Sequence, residues 1–249
     1  MPKPYIIEFF AEQSAIAIEV KTSADLKAIS HTLQVTGSRP VIVLVGGAGE
    51  LRHYHVARLH TLFLKAIVAV AEEVGAIVID GGTDTGVMQM MGRAYQKASA
   101  SFPLIGVLPA EMAILPTNQP SSTEAAALEP NHTHFVLTPG QQWGDESAWM
   151  ADLANVLASG KPSVTVLING GAVTWKDAAE SVRVDRPIIA IADTGRAADA
   201  IAHTLTGASN DAQATQLIAS GLVEAIELEQ VETLRTRLQD LLTSKALFR

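Results

Sequence analysis

Three runs of apolar, mostly β-branched residues in this chain, at 41–45, 77–80 and 164–169, end in the same way. Two glycines follow each run, and the pairs are Gly46-Gly47, Gly81-Gly82 and Gly170-Gly171. Because glycine has no Cβ, such a pair lets the backbone at a strand end approach a ligand closely. The pattern therefore predicts an α/β protein with a site at the carboxyl ends of its strands, and it favours an anionic ligand bound largely by backbone amides.

The spacing of apolar residues predicts an alternation of strands and helices. Most of the strand-like runs are continuous rather than alternating, as expected for parallel strands covered on both faces. Strands are predicted at about 41–46, 76–80, 104–108, 133–138, 163–168, 188–192 and 222–228. Helices are predicted at 55–74, 86–98, 145–157, 196–205, 212–220 and 231–242. This order favours a doubly wound, mostly parallel sheet with helices on both faces.

The chain is interpreted as one domain, 1–249, because no linker interrupts it. Its core is placed at about 40–228, and residues 1–39 are an N-terminal extension expected to add an edge hairpin and a short helix. Residues 110–131 are rich in Pro, Ser, Thr and Asn. A loop of that length inside a compact domain is usually functional or a lid.

Composition excludes several classes of function. Hydrophobic residues make up 48% of the chain and the net charge is −8, so a large core is expected and nucleic acid is not an expected partner. The absence of cysteine excludes disulfides, thiol nucleophiles and cysteine-zinc sites. Neither a signal-peptide pattern nor an apolar run of membrane-spanning length is present, so a cytoplasmic protein, not embedded in a membrane, is expected.

The segment after the second run is the most informative. Asp80 ends the strand, and the loop residues are Gly81, Gly82, Thr83, Asp84, Thr85, Gly86 and Val87. A helix that begins near Thr85 would direct free N–H groups and the positive end of its dipole at an anion. Geometry alone can also require glycines in such a strand–helix turn. The spacing matches neither a Walker loop nor the dinucleotide fingerprint.

A cationic element lies further along, toward the carboxyl end of the chain. Gly195 and Arg196 follow a predicted strand, and a bound anion would offset the cost of a cation in the first helical turn. Asp199 is expected to orient the guanidinium, although a surface Arg–Asp pair is the alternative. No Lys or Arg occurs between Lys97 and Lys161, so phosphates would depend on backbone amides plus Arg52, Arg93 or Arg196.

Two further candidates lie in the middle of the chain. His132 and His134 form a His-x-His pair, which fits zinc binding or ordinary hydrogen bonding. After the next strand, Gly140 begins a turn that contains Trp143, a surface on which a base can stack. Glu146 is either a first-turn acid or a general acid/base.

Five motifs carry a family resemblance, and they occur in the order 80–88, 105–109, 128–135, 166–171 and 193–199. The series resembles the N-terminal homology region of melastatin-type TRP channels. That region belongs to the SLOG superfamily, together with the LOG phosphoribohydrolases and the DNA-processing protein DprA. The chain looks like a free-standing prokaryotic version, since no channel segment follows.

The resemblance implies a Rossmann-like fold that binds a nucleotide-derived ligand, with ADP-ribose seen in some relatives. The leading hypothesis is a sensor for ADP-ribose or an NAD-derived signal, with no cofactor required and no metal site. The implied ligand-binding set is Gly46, Gly47, Gly81, Gly82, Thr83, Asp84, Thr85, Gly86, Val87, His134, Gly140, Gly170, Gly171, Gly195 and Arg196. A homo-oligomer is expected by family analogy.

The chain departs from the channel pattern at Asp80 and Asp84, where Thr and Asn are usual, and two carboxylates there would repel phosphates unless they face sugar hydroxyls. A LOG-like nucleotide N-glycosidase with Glu146 or Asp84 as its acid/base is the alternative function. LOG hydrolases carry an Arg–Lys-containing segment before a Pro-Gly-Gly-x-Gly-Thr-x-Glu loop. Here the corresponding segment has no Arg or Lys, and the loop Pro139-Gly-Gln-Gln-Trp-Gly-Asp-Glu146 is altered at the second glycine and the Gly-Thr step, so the charge stabilisation that accompanies the carboxylate is missing. A regulatory scaffold for a membrane effector is the third hypothesis.

Overall fold

A computed structural model describes residues 3–10, 13–33, 35, 37–47, 53–118 and 123–244. Nine strands form one mixed sheet in the order β1-β2-β8-β5-β4-β3-β9-β10-β11, and every pairing is parallel except β1 with β2. The strands of this sheet are β1 Tyr5–Glu8, β2 Ser14–Glu19, β3 Val41–Gly46, β4 Ile77–Asp80, β5 Leu104–Pro109, β8 His134–Thr138, β9 Ser163–Ile168, β10 Ile188–Ala192 and β11 Val223–Glu227. Two short strands, β6 Ala113–Ile114 and β7 Ala126–Ala127, pair with each other.

Helices connect the strands and cover both faces of the sheet. They are α1 Ser23–Thr32, α2 His53–Leu62, α3 Ala69–Val74, α4 Gly86–Ala98, α5 Ser147–Ala158, α6 Ala172–Arg183, α7 Arg196–Leu205, α8 Ala212–Ile218 and α9 Val231–Thr243. A π-helical segment, Phe63–Val68, joins α2 to α3. No helix in the described ranges has the length and apolar character needed to span a membrane.

The continuous apolar strands reflect this double coverage. In β3, Val41, Val43 and Val45 pack into the core that contains α5 and α7, whereas Ile42 and Leu44 pack into the core beneath α4 and α9. Alternate residues of a strand face opposite sides of a sheet, so both sets must be apolar when both faces are buried. The predicted fold class, a Rossmann-like and mostly parallel sheet between helices, is confirmed.

The order in which successive strands are added to the sheet reverses at β3. After β3 the chain adds β4, β5 and β8 on one side, and it then returns to place β9, β10 and β11 on the other side. The boundary between β3 and β9 is therefore a topological switch point, where ligands bind in open α/β sheets beyond the carboxyl ends of the strands.

Two segments differ from the sequence-based expectation. Helix α6 was not predicted, because its buried face consists of Thr174, Asp177, Ala178 and Ser181 rather than large apolar residues. The predicted long loop at 110–131 contains the short strands β6 and β7, which pair with each other. Residues 119–122 lie outside the described part.

Candidate functional site

A cleft of about 460 Å³ lies at the switch point. This volume is within the range of small-molecule sites. Its walls come from both sides of the reversal in strand order: the ends of β3 and β4, the start of α6, the start of α7, and the loop before α5. The lining residues are Leu44, Val45, Gly46, Gly47, Gly81, Thr83, Thr85, Met88, Glu124, Ala126, Trp143, Glu146, Met150, Gly171, Ala172, Val173, Thr174, Asp177 and Arg196.

The loop after β4 contributes Gly81 and two threonines to this cleft. The Oγ1 atoms of Thr83 and Thr85 lie 3.0 Å apart, and Thr85 is the N-cap residue of α4. A Cβ on Gly81 would come no closer than 3.7 Å to Met88, so the site at Gly81 has room for a small side chain. The predicted helix start near Thr85 is confirmed, and it places the N–H end of α4 at the cleft.

Gly82 is not among the cleft residues and has a packing role. Its φ is +66°, and a Cβ there would lie 2.8 Å from Cα of Gly106 and 3.0 Å from the ring of Phe135. Such distances are far inside van der Waals contact. This glycine is therefore required for the close approach of the loop after β4 to the middle of β5.

Asp80 is buried beneath the loop and does not face the cleft. Its Oδ1 accepts a hydrogen bond from the Gly82 backbone N–H at 2.7 Å and lies 2.8 Å from Nε2 of His132. Nδ1 of His132 lies 2.9 Å from Oε2 of Glu129. Burial opposes the imidazolium, but the carboxylates of Asp80 and Glu129 outweigh it and raise the pKa of His132 to about 9. One imidazolium thus lies between two carboxylates, and Asp80 is not part of the cleft lining.

The two histidines of the His-x-His pair do not converge. The Nε2 of His134 is bonded to the carbonyl oxygen of Leu33 and its Nδ1 to Oγ1 of Thr133. His134 begins β8, at the end of the sheet opposite to the cleft, because the cleft lies beyond the carboxyl ends. Within the described ranges, no group of three or more His, Asp or Glu residues is arranged to hold a metal ion.

The first and third glycine pairs lie on adjacent strands. Gly47 lines the cleft, and its carbonyl oxygen accepts a bond from the N–H of Val87 at 3.2 Å, which ties the loop after β3 to α4. A Cβ on Gly46 would collide with the carbonyl oxygen of Ile168 on β9. Gly171 and the first turn of α6 also line the cleft, whereas Gly170 does not, so only one glycine of the third pair is part of the lining. Residues 48–52, including Arg52, lie outside the described part.

Arg196 projects from the start of α7 across Gly171. A Cβ on Gly171 would lie 2.8 Å from an Nη atom of Arg196. Arg196 has φ +54°, a left-handed conformation that costs of order 1 kcal/mol for a non-glycine residue and often marks a functional site. Among the described residues it forms no ion pair. The expected partner Asp199 instead accepts a bond from the Thr194 backbone N–H at 3.1 Å.

Two acidic side chains are buried in the cleft wall. Glu146 is the N-cap residue of α5, and its Oε2 accepts a bond from the Gly144 N–H at 2.7 Å. Asp177, on α6, accepts a bond from the Ser147 hydroxyl at 2.6 Å. Burial raises the pKa of Glu146, and burial together with the charge of Glu146 raises the pKa of Asp177 to about 7.

Other predicted candidates lie outside the cleft lining. Asp84 accepts a bond from the Gln89 amide at 2.9 Å, and Val87 is fully buried under Gly46. The remaining glycines provide backbone conformations with positive φ, and they are Gly86 (+51°), Gly140 (+148°), Gly170 (+102°) and Gly195 (+94°). They shape the turns that present the cleft residues.

The fold and the cleft define a class of protein, a Rossmann-like α/β domain with a cleft of small-molecule size at the switch point of its sheet. Residues 39–236 match the family described as SLOG in TRPM, prokaryote. This match covers most of the chain, and the chain belongs to that family.

Curated relatives are cation channels. The mouse transient receptor potential cation channel subfamily M member 2 is 26% identical over 204 residues, which are 66% of this chain and 13% of the channel. Human subfamily M member 6 is 24% identical over 219 residues, or 74% of this chain and 11% of the channel. The chain thus corresponds to a small part of each channel.

A solved structure described as the X-ray structure of TM1055, a structural genomics target, supports the fold. It has a TM-score of 0.54 and 21% sequence identity, and the match covers 81% of this chain and 99% of that chain. At this identity the likeness concerns the fold alone.

Proposed function

We propose that the cleft binds a nucleotide-derived ligand, with ADP-ribose or an NAD-derived molecule as the leading candidates, and that the protein is a cytoplasmic sensor of that ligand. The observation that carries the proposal is the convergence of helix N-termini, glycine backbone and Arg196, which has no ion-pair partner in the described part of the chain, on one cleft of about 460 Å³. Helix N-termini attract anions through their free N–H groups and their dipole. The relationship to SLOG domains of TRPM type supports the same class of ligand.

The phosphate groups are assigned to the wall formed by Arg196, Gly171 and the first turn of α6. Thr83 and Thr85 add hydroxyl groups on the facing wall. Trp143 supplies an aromatic surface for the base, and its indole N–H donates to the carbonyl oxygen of Glu124 at 2.9 Å. This bond attaches the segment after residue 122 to the rim of the cleft.

Isothermal titration calorimetry with ADP-ribose, NAD and AMP tests the proposal. Arg196→Ala should weaken binding by roughly tenfold to a hundredfold, the range for a charge-assisted hydrogen bond. Arg235→Ala is the matched control, because Arg235 pairs with the exposed Glu73 at 3.3 Å and does not line the cleft. It should leave the dissociation constant unchanged.

A second variant tests the backbone approach. Gly81→Ala places a methyl group in the cleft without a clash, so it should weaken binding while leaving the melting temperature nearly unchanged. If the folded wild-type protein binds none of the three ligands, the proposed function is wrong.

An N-glycosidase that acts on the same ligand is the second candidate. It is favoured by the buried position of Glu146, whose raised pKa suits a general acid. Release of free base from ADP-ribose, NAD or AMP, measured by chromatography and lost in Glu146→Gln, would establish it. Binding without release supports the sensor. The homo-oligomer and the membrane effector stay predictions.

A further inference from the structure

Glu146 and Asp177 form a buried acidic element inside a cleft that also contains groups suited to an anion, namely Arg196, Thr83 and Thr85. Glu146 is 4% exposed and Asp177 8% exposed, and both line the cleft. One oxygen of Asp177 is held by Ser147, and among the described residues the other oxygen has no hydrogen-bond partner. This oxygen is not among the fully buried polar atoms that lack a hydrogen-bond partner, so it is open to the cleft rather than enclosed by the protein. The free oxygen of Asp177 is therefore a position for a ligand donor.

The nearby cations offset the charge of this pair only in part. Lys176 is exposed and extends past Gly144, and burial raises the pKa of Glu146 and of Asp177 more than the charge of Lys176 lowers it. The guanidinium of Arg186 is bonded to Ser163, Ala151 and Asn155. The cation of the cleft, Arg196, lies against Gly171. The cleft thus combines a cationic wall with a separate acidic wall.

A carboxylate repels phosphate and accepts hydrogen bonds from hydroxyl groups. A ribose presents two adjacent hydroxyl groups as donors, and in nucleotides it is joined directly to phosphate. A ligand that spans both walls would place its phosphate at Arg196 and its sugar at the acids.

We infer that Glu146 and Asp177 form a ribose subsite in which their carboxyl oxygens accept hydrogen bonds from the vicinal hydroxyl groups of the ligand. This inference rests on the proposed nucleotide-binding function and makes it more specific. The subsite selects ribonucleotides over 2′-deoxyribonucleotides, and Asp177 is a specificity-determining residue.

The test compares ligands that differ by one hydroxyl group. ADP-ribose and AMP are each titrated against their 2′-deoxy analogues by calorimetry. The wild-type protein should bind the ribo form about tenfold more tightly, the factor expected from one charge-assisted hydrogen bond. Asp177→Asn, which keeps an acceptor for Ser147, should weaken the ribo form and leave the 2′-deoxy form nearly unchanged.

Asp152→Asn is the control variant, since Asp152 is an exposed carboxylate of α5 paired with Arg183 at 2.6 Å. It should retain the full preference for the ribo form. Equal binding of ribo and 2′-deoxy ligands by the wild type would overturn the subsite and leave nucleotide binding intact. An equal loss of both ligands in Asp177→Asn would also overturn it, because a purely structural role affects both alike. Failure of every ligand to bind would overturn both proposals.

Discussion

The imidazole of His132 lies between the buried carboxylates of Asp80 and Glu129, so its protonation links the stability of the loop after β4 to pH. The folded-state pKa of about 9 exceeds the ordinary value of 6.5. The stabilisation is therefore fully present below about pH 6.5 and is lost as the pH rises through about 9.

We expect this group to lower the free energy of unfolding by roughly 3 kcal/mol between about pH 6 and about pH 10. Urea denaturation of the wild type and of His132→Gln across this range measures the effect. The difference between the two proteins should shrink as the pH rises. A difference independent of pH would show that His132 is neutral in the native state.

At the scale of elements, the junction of β4 and β5 depends on close contact between Gly82 and Gly106. A Cβ on Gly106 would lie 2.7 Å from Cα of Gly82 and 2.8 Å from the ring of Phe135. Gly82→Val should therefore destabilise the fold by about 2–4 kcal/mol through overpacking and an unfavourable φ. Thermal unfolding checks this, with Gly81→Ala as the neighbouring control. A stable Gly82→Val protein that has lost only ligand binding would instead place Gly82 in the site.

The sequence predicted the strands well and one helix not at all. Continuous β-branched runs ending in glycine leave few alternatives to buried parallel strands, and the structure has β3 and β9 with the predicted bounds. Helix α6 buries Thr174, Asp177 and Ser181, so it lacks the apolar stripe that indicates a helix. Because α6 was not predicted, Asp177 was not predicted as a residue of the cleft either. The available signal was the spacing of these small polar residues by three and four positions.

The burial of the Asp80 carboxylate could not be predicted from the local sequence either. Asp80 was expected to repel phosphate unless it faced a sugar hydroxyl, but it is buried against His132, which lies 52 residues away in the chain. Only the pairing of β4 with β5 and of β5 with β8 brings the two together. Gly46, Gly81, Gly171 and Arg196, which the motif resemblance singled out, all line the cleft. A Cβ on Gly46 or Gly171 would come within 3 Å of a neighbouring atom, whereas Gly81 has room for one.

At the scale of the whole molecule, the cleft joins segments that lie on opposite sides of the switch point. Thr83 and Thr85 follow β4, whereas Gly171, Asp177 and Arg196 belong to the part of the chain after β8. A ligand held by both sets would connect the two halves of the sheet. Binding there is expected to slow hydrogen exchange in both halves of the sheet.

Saturating ADP-ribose should raise the melting temperature, because a ligand at about a hundred times its dissociation constant adds about 2.7 kcal/mol to the free energy of unfolding. For a domain of this size that corresponds to an increase of about 5–10 °C. Hydrogen exchange should slow at the amides of both 81–88 and 171–177. The amides of 203–206 and 224–227, around the far side of a second cavity, serve as the internal control and should not change. Protection at only one side of the switch point, or at the second cavity, would show that the ligand does not bridge the two halves.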